Sequence, residues 1–295
     1  MVEDIKSRIE KILENFGGIV GVGFKDLKSG EEFYINEGRK FLTASVFKVF
    51  VIVELYRQAL EGKINLDERY LLRETDKTLG SGVLQHLQEG LNPTIRDLAK
   101  LMMTLSDNTA TDIIMKMLGK GDINATIENL GLKNSRVALS TNEILLSITG
   151  AENIEEAKKN FEEGKINKGG KWERDFEEND VTTPKDMVKI FEMLYWKKIL
   201  TPEACMEIIE IMKNCETGEA RIKRYLPFKV KVAHKTGTMP SVVNDAGIVF
   251  SPKGDYILVV FINGLEYEEQ PYISIGEEMI SRISKEIYES FILKS

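Results

Sequence analysis

The chain is poor in the residue types that build metal clusters and disulfide frameworks. Among its 295 residues are only two cysteines and two histidines. Cys205 and Cys215 lie ten positions apart in a stretch predicted to form one helix, which would separate them by about 15 Å, too far for a disulfide. His86 and His234 do not follow the spacing of zinc ligands. We therefore expect two reduced thiols and no metal site.

Long apolar runs and basic clusters are also missing. The formal net charge of −7, from 40 basic and 47 acidic residues, argues against a nucleic-acid partner. No stretch is long and apolar enough to predict a membrane segment. The N-terminal residues 1–16 are charged and lack the apolar core of a secretory signal. We expect a cytoplasmic protein, or a secreted or periplasmic one if a signal has been removed.

The order of the periodic segments predicts a mixed α/β fold of the α+β type. Helical and strand patterns occupy both ends of the chain, and the middle is mostly helical. The predicted terminal helices are 2–15 and 273–292, and the predicted strands are 18–27, 31–37, 229–237, 243–252 and 255–264. Strands from both ends are most simply joined in one antiparallel sheet, with the helical middle as an insert.

These patterns predict one catalytic domain, residues 1–295, with two lobes. The sheet lobe is expected at about 1–42 and 227–295, and the all-helical lobe at about 43–226. The terminal helices are expected to flank the sheet. Nothing in the sequence indicates an internal repeat, and we expect a monomer.

The motif that draws attention is Ser45-x-x-Lys48. If a helix begins near Ser45, this spacing puts both side chains on one face. A serine hydroxyl is a weak nucleophile until a neighbouring base takes its proton. A lysine one turn away can serve as that base if burial lowers its pKa. The apolar residues 49–55 that follow make such burial plausible.

Two further motifs follow in the chain, Ser106-Asp107-Asn108 and Lys235-Thr236-Gly237. Alone, the first could be a helix end followed by the cap of the next helix. The second could be an edge-strand lysine before a turn. The three motifs in this order are typical of class A β-lactamases and penicillin-binding proteins. The ordered set favours catalysis over the structural explanation of each motif.

The chain resembles the class A β-lactamase family of penicillin-recognising serine hydrolases. The resemblance extends to RDLAKLMMTLSDNTATD, VTTPKDM, ETGEARIKRYLPFKVKVAHKTGT and VNDAGIVFSP, and spans most of residues 18–292 except about 140–180. It implies the β-lactamase/transpeptidase-like fold, a small β-lactam as substrate and no cofactor. The implied reaction is hydrolysis of the β-lactam amide bond.

The resemblance also implies the catalytic roles. Ser45 is expected to be the nucleophile that forms an acyl-enzyme, and Lys48 its base. Ser106 is expected to relay a proton to the leaving nitrogen. The backbone N–H groups of Ser45 and Thr238 are expected to form the oxyanion hole.

Four other residues are expected to bind the substrate. Asn108 would hydrogen-bond the side-chain amide of a β-lactam. Lys235 and Thr236 would hold its carboxylate through charge and a hydroxyl group. Gly237 would let the substrate approach the strand closely.

The chain departs from the family pattern at the residue that activates the deacylating water. Hydrolytic members carry Glu-x-x-Leu-Asn in an Ω-shaped loop. The nearest match here begins at Glu143 and has serine in place of the asparagine. We expect Glu143 to be the deacylation base, with Glu177 and Glu178 as less well-spaced candidates.

Two other functions remain open because of this departure. One is a related serine hydrolase that acts on a D-amino-acid peptide or an ester. The other is a penicillin-binding module that traps the acyl group and deacylates slowly. The fate of the acyl-enzyme distinguishes them from a fast β-lactamase.

Overall fold

The computed structural model describes residues 2–174, 176–267 and 271–292. The chain divides into two compact units. The first, called the sheet unit here, comprises the chain up to Val46, the short piece Leu132–Ser135, and the chain from Thr182 onward. The second, called the helical unit, comprises Phe47–Gly131 and Arg136–Val181.

The sheet unit is built on five antiparallel strands that come from both ends of the chain. In spatial order the strands are β2 (Glu32–Ile35), β1 (Ile19–Asp26), β7 (Tyr256–Asn263), β6 (Val242–Phe250) and β5 (Lys231–Met239). The pairing of β1 with β7, with Val22 opposite Val260, joins the two chain ends. The predicted α+β fold is confirmed.

The two faces of the sheet are covered by different helices. Alternate residues of β1 explain this, because Val20, Val22 and Phe24 belong to the core shared with α1 (Val2–Leu13) and α11 (Tyr272–Ile292). On the opposite face, the glycines of β1 lie against the start of α9 (Pro184–Tyr195), and β5 packs against α10 (Pro202–Lys213).

The helical unit ends earlier in the chain than predicted, because α9 and α10 pack in the sheet unit. The sequence placed residues up to 226 in the helical lobe, whereas both helices belong to the sheet unit. Their periodicity indicates an apolar face but not the surface that covers it. Likewise, Cys215 lies beyond the end of α10 rather than within one helix with Cys205, and both buried cysteines are free thiols.

The helical unit is organised around α2 (Lys48–Leu60), which has ten buried residues of thirteen. Around it lie α3 (Ile95–Thr104), α4 (Asn108–Leu118) and α5 (Lys120–Asn129), followed by α6 (Thr141–Thr149), α7 (Ile154–Glu162) and α8 (Lys171–Arg174). Two short strands, β3 (Phe41–Leu42) and β4 (Val181–Thr182), lie near the points where the chain passes between units. Within the described ranges, every helix is too short or too polar to cross a membrane.

A buried carboxyl group in the helical unit makes its stability depend on pH. Oδ1 of Asp180 accepts the backbone N–H groups of Ala138 and Leu139 at 2.7 and 2.9 Å. Burial, opposed by these two hydrogen bonds, raises the pKa of Asp180 to about 7. An unfolded aspartate titrates near 4, so the folded chain binds more protons between these values. The contribution of Asp180 to stability is therefore lost as pH rises from about 4 to 7.

We predict that Asp180→Asn flattens this dependence, because the amide keeps the acceptor oxygen and never ionises. Relative to the variant, the free energy of unfolding of the parent should fall by up to about 1.4 kcal/mol per pH unit in this window. Denaturant unfolding of parent and variant between pH 4.5 and 8 measures the difference. Parallel profiles for the two proteins would show that Asp180 is not the responsible group.

Candidate active site

Two of the predicted catalytic residues, Lys48 and Ser106, meet the predicted substrate-binding residue Asn108 in the helical unit. Lys48 is the first residue of α2 and is completely buried. Its Nζ lies 2.8 Å from the carbonyl oxygen of Ser106, 3.2 Å from the Ser106 hydroxyl and 2.9 Å from Oδ1 of Asn108. A buried lysine amine with polar partners of this kind can exchange a proton with a hydroxyl group.

The backbone between α3 and α4 presents these partners to the lysine. Ser106 has a φ of +55°, a left-handed conformation that is uncommon for residues other than glycine. Asp107 holds the turn: its Oδ1 accepts the N–H of Ala110, while Oδ2 accepts those of Val83 and Leu84 at 2.7 and 2.9 Å. The aspartate therefore organises the loop and caps α4.

Asn108 links the lysine to two further parts of the helical unit. Its Nδ2 donates to the carbonyl of Leu79 at 2.8 Å. The hydroxyl of Thr141, the first residue of α6, donates to the carbonyl of Asn108 at 3.3 Å. Among the hydrogen bonds of the described residues, the α6 side chain that reaches the backbone of Asn108 is therefore a threonine, which the sequence did not single out.

Glu143 has a different set of partners. Its carboxylate accepts Nζ of Lys120 at 2.8 and 3.0 Å and the backbone N–H of Ser140 at 2.6 Å. Burial raises its pKa, but the bonds to Lys120 and Ser140 outweigh this and lower it. Residues two apart on a helix point in nearly opposite directions. Glu143 therefore faces away from the carbonyl of Asn108, to which Thr141 donates. Its role as deacylation base stays a prediction, which these contacts do not favour.

In the sheet unit, the chain before Ser45 is fastened to β6 and β7. Nδ2 of Asn244 donates to the carbonyls of Leu42 and Thr43 at 2.8 and 3.1 Å, and Oδ1 of Asn263 accepts the N–H of Leu42 at 2.8 Å. Ala44 has a φ of +43°. Such strained conformations persist where the surroundings enforce them, often at functional sites.

Gly237 brings Ser45 close to the edge strand β5. A Cβ atom at residue 237 would collide with the carbonyl oxygen of Thr43 and lie 3.2 Å from the backbone nitrogen of Ser45. Only glycine fits this approach without displacement. The backbone N–H of Ser45 thus lies beside the segment of β5 that carries Thr238, as an oxyanion hole built from both residues requires.

Lys235 and Thr236 are buried in the same strand. Nζ of Lys235 donates to the carbonyl of Thr236 at 2.9 Å. Burial lowers the pKa of Lys235 to about 8, with the charge of Arg221 acting in the same direction and those of Cys215 and Asp245 opposing it. The amine therefore keeps its charge through most of the neutral range and can bind an anion.

Arg221 is a residue that the sequence analysis missed. Its guanidinium group donates to the carbonyls of Gly237 and Asn244 at 3.1 and 2.7 Å and to the Thr238 hydroxyl at 2.5 Å. Nε pairs with Glu277 at 3.2 Å. The arginine thus fixes the end of β5. The Thr-Gly-x-x-Arg spacing before the strand was the available signal, but a single arginine has no periodic signature.

Known proteins resemble this chain along its whole length. Residues 4–291 match the model of the beta-lactamase enzyme family. β-Lactamase VEB-1 of Pseudomonas aeruginosa is 24% identical over 303 residues, which cover 99% of this chain and 92% of that protein.

Solved structures show the same similarity. The β-lactamase of Sphaerobacter thermophilus is 26% identical with a TM-score of 0.82 and covers 100% of this chain and 99% of its own. A mutant of PBP-A, solved as an acyl-enzyme complex with penicillin G, is 24% identical with a TM-score of 0.79. The match covers 99% of this chain and 97% of that protein. The predicted family and fold are confirmed. The chain therefore belongs to the beta-lactamase enzyme family and is a class A β-lactamase-like serine hydrolase.

Proposed function

We propose that the protein opens β-lactam rings by transferring the acyl group to Ser45, and that it releases this acyl group slowly. The Ser45 oxygen attacks the lactam carbonyl, the C–N bond breaks, and the serine proton passes to the leaving nitrogen. Water then hydrolyses the ester. The buried amine of Lys48, in contact with Ser106 and Asn108, is the observation that carries this proposal.

The hydrogen bonds of Lys48 suit a proton relay. A charged ammonium group donates to three oxygens, which are the carbonyl and hydroxyl of Ser106 and Oδ1 of Asn108. A neutral amine can still donate to the carbonyl and to Asn108 while it accepts the Ser106 hydroxyl hydrogen. Both protonation states are therefore accommodated, as acid–base catalysis requires.

The substrate is proposed to be an anionic β-lactam. Lys235 supplies a buried positive charge, and Thr236 supplies a hydroxyl group on the same strand. A charge-assisted hydrogen bond contributes about 1.5–3 kcal/mol. The N–H groups of Ser45 and Thr238 are proposed to stabilise the oxyanion of the tetrahedral intermediate.

Slow deacylation follows from the contacts of α6. Water attack on an acyl-enzyme needs a general base within hydrogen-bond reach of that water. The residue of α6 beside Asn108 is Thr141, whose hydroxyl group is not basic at neutral pH. Glu143, two positions later, is engaged by Lys120.

The first prediction concerns the nucleophile. Ser45→Ala should abolish covalent labelling by a fluorescent penicillin, because the proposed mechanism transfers the acyl group to the oxygen of Ser45. Labelling of parent and variant is compared on a denaturing gel, with circular dichroism to show that the variant is folded. A variant that is labelled at the parental rate would remove Ser45 from the mechanism.

The second prediction concerns the residue that activates water. Glu143→Gln should leave the lifetime of the penicillin adduct unchanged, because glutamine still fits the helix cap and loses only the pair with Lys120. Thr141→Glu should shorten it, since a carboxylate then lies beside Asn108. General-base catalysis contributes about 10²–10⁴-fold, and an imperfectly placed base should give a part of this.

Mass spectrometry of the intact protein after removal of excess penicillin measures both lifetimes. Asn142→Glu, at the position between the two, controls for the mere addition of a charge to α6. A lifetime that increases strongly in Glu143→Gln would restore Glu143 as the deacylation base and overturn the assignment to the position of Thr141.

A further inference from the structure

A chain of side-chain hydrogen bonds runs from a buried cysteine to the proposed substrate anchor. Sγ of Cys215 lies 3.2 Å from Oγ1 of Thr217, and this oxygen lies 2.6 Å from Oγ1 of Thr236. Cys215 is buried just beyond α10, and Thr236 is buried on β5. The chain lies wholly within the sheet unit.

The cysteine also belongs to a group of buried ionisable residues. His234 and Asp245 are fully buried on β5 and β6, and Nδ1 of His234 lies 2.8 Å from Oδ1 of Asp245. Nε2 of His234 has no partner of ordinary hydrogen-bond geometry in the described part of the chain. His234 and Cys215 nevertheless interact through charge. None of the steps proposed above uses this group.

The protonation state of Cys215 determines which way the hydrogen bonds run. A thiolate only accepts, so it draws the Thr217 hydrogen toward sulfur, and Thr217 then accepts the hydrogen of Thr236. A thiol can donate to the Thr217 hydroxyl or to its carbonyl, which lies 3.7 Å away. The Thr217 hydrogen is then available to Thr236, whose own hydrogen is free for a ligand.

We propose that Cys215 is a positioning residue for Thr236: its thiol form leaves the Thr236 hydroxyl free to donate to the carboxylate of an anionic substrate, and its thiolate form withdraws that donor. Binding of the anion is thereby coupled to uptake of one proton from solvent by Cys215. The inference rests on the proposed function, because it assumes that Thr236 helps to bind the carboxylate.

Neighbouring charges decide how readily the thiol ionises. Burial raises the pKa of Cys215, but the charge of His234 and its interaction with the sulfur, together with Lys235, outweigh this and lower it. Asp245 affects the thiol indirectly, because its charge raises the pKa of His234. The charge of Arg221 lowers the pKa of Lys235. On the backbone side, Nζ of Lys223 donates to the Cys215 carbonyl at 2.7 Å. The free protein therefore favours the thiolate near neutral pH, so an anionic substrate must restore the proton.

The coupling is tested by acylation with a penicillin and with the methyl ester of the same penicillin, from pH 5 to 8. The concentration dependence separates the binding constant from the acylation rate. In the parent, the dissociation constant of the penicillin should rise by up to about tenfold per pH unit above the pKa of Cys215, while that of the ester stays flat. The ratio of the two substrates removes the effect of Lys48, which acts on both.

Two matched variants show whether Cys215 is responsible. Cys215→Ser replaces the thiol with a hydroxyl that does not ionise, so the dissociation constant of the penicillin should lose its pH dependence below pH 7.5. Cys205→Ser, which changes the other buried thiol, should keep the parental profile. The opposite result is that binding of the penicillin by Cys215→Ser begins to weaken at a lower pH than binding by the parent. The thiolate would then serve only to support the charge of Lys235, and the proposal would be wrong.

Calorimetry provides a readout that does not depend on turnover. Penicillin binding to Ser45→Ala, measured in two buffers of different ionisation enthalpy, should take up close to one proton per ligand at pH 7.5. The double variant Ser45→Ala, Cys215→Ser should take up markedly less. Equal uptake by both would refute the inference. Failure of the parent to form any penicillin adduct would instead refute the proposed function.

Discussion

The burial of one amine at the start of a largely buried helix is the constraint on which the candidate catalytic residues depend. Lys48 opens α2, whose following residues form the centre of the helical unit. A charged or titrating group at such a position is costly unless its hydrogen bonds are satisfied. Ser106 and Asn108 satisfy them, so the loop between α3 and α4 must keep its left-handed turn. The hydrogen bonds that satisfy the buried lysine are thus the same ones that the proposed proton transfer would use.

In the sheet unit, the segment before Ser45 is positioned by close approach of its backbone to strand β5. The pairing of β1 with β7 joins the chain ends, and Asn244 and Asn263 fasten the segment before Ser45 to the inner strands. Gly237 lets that segment lie against β5. The proposed nucleophile therefore lies in a short turn that follows the left-handed Ala44 and is fastened to the inner strands of the sheet.

The sequence predicted the fold and much of the candidate site because both leave local patterns. Strand alternation at the two chain ends indicated one antiparallel sheet, and the three ordered motifs indicated Ser45, Lys48 and their partners. The sequence did not predict features that depend on tertiary contacts. Packing decides which surface covers α9 and α10. The role of Arg221 depends on two carbonyl groups and one hydroxyl group that lie 16 to 23 residues further along the chain. Likewise, only the direction of side chains on α6 distinguishes Thr141 from Glu143.

The most direct test of acylation followed by slow release is the time course of a chromogenic cephalosporin mixed rapidly with the protein. Ring opening gives the colour, so acylation and turnover are seen in one trace. We expect a burst of about one equivalent of product per protein molecule, followed by a much slower linear phase. A trace that is linear from the start at saturating substrate, with fast turnover, would contradict it.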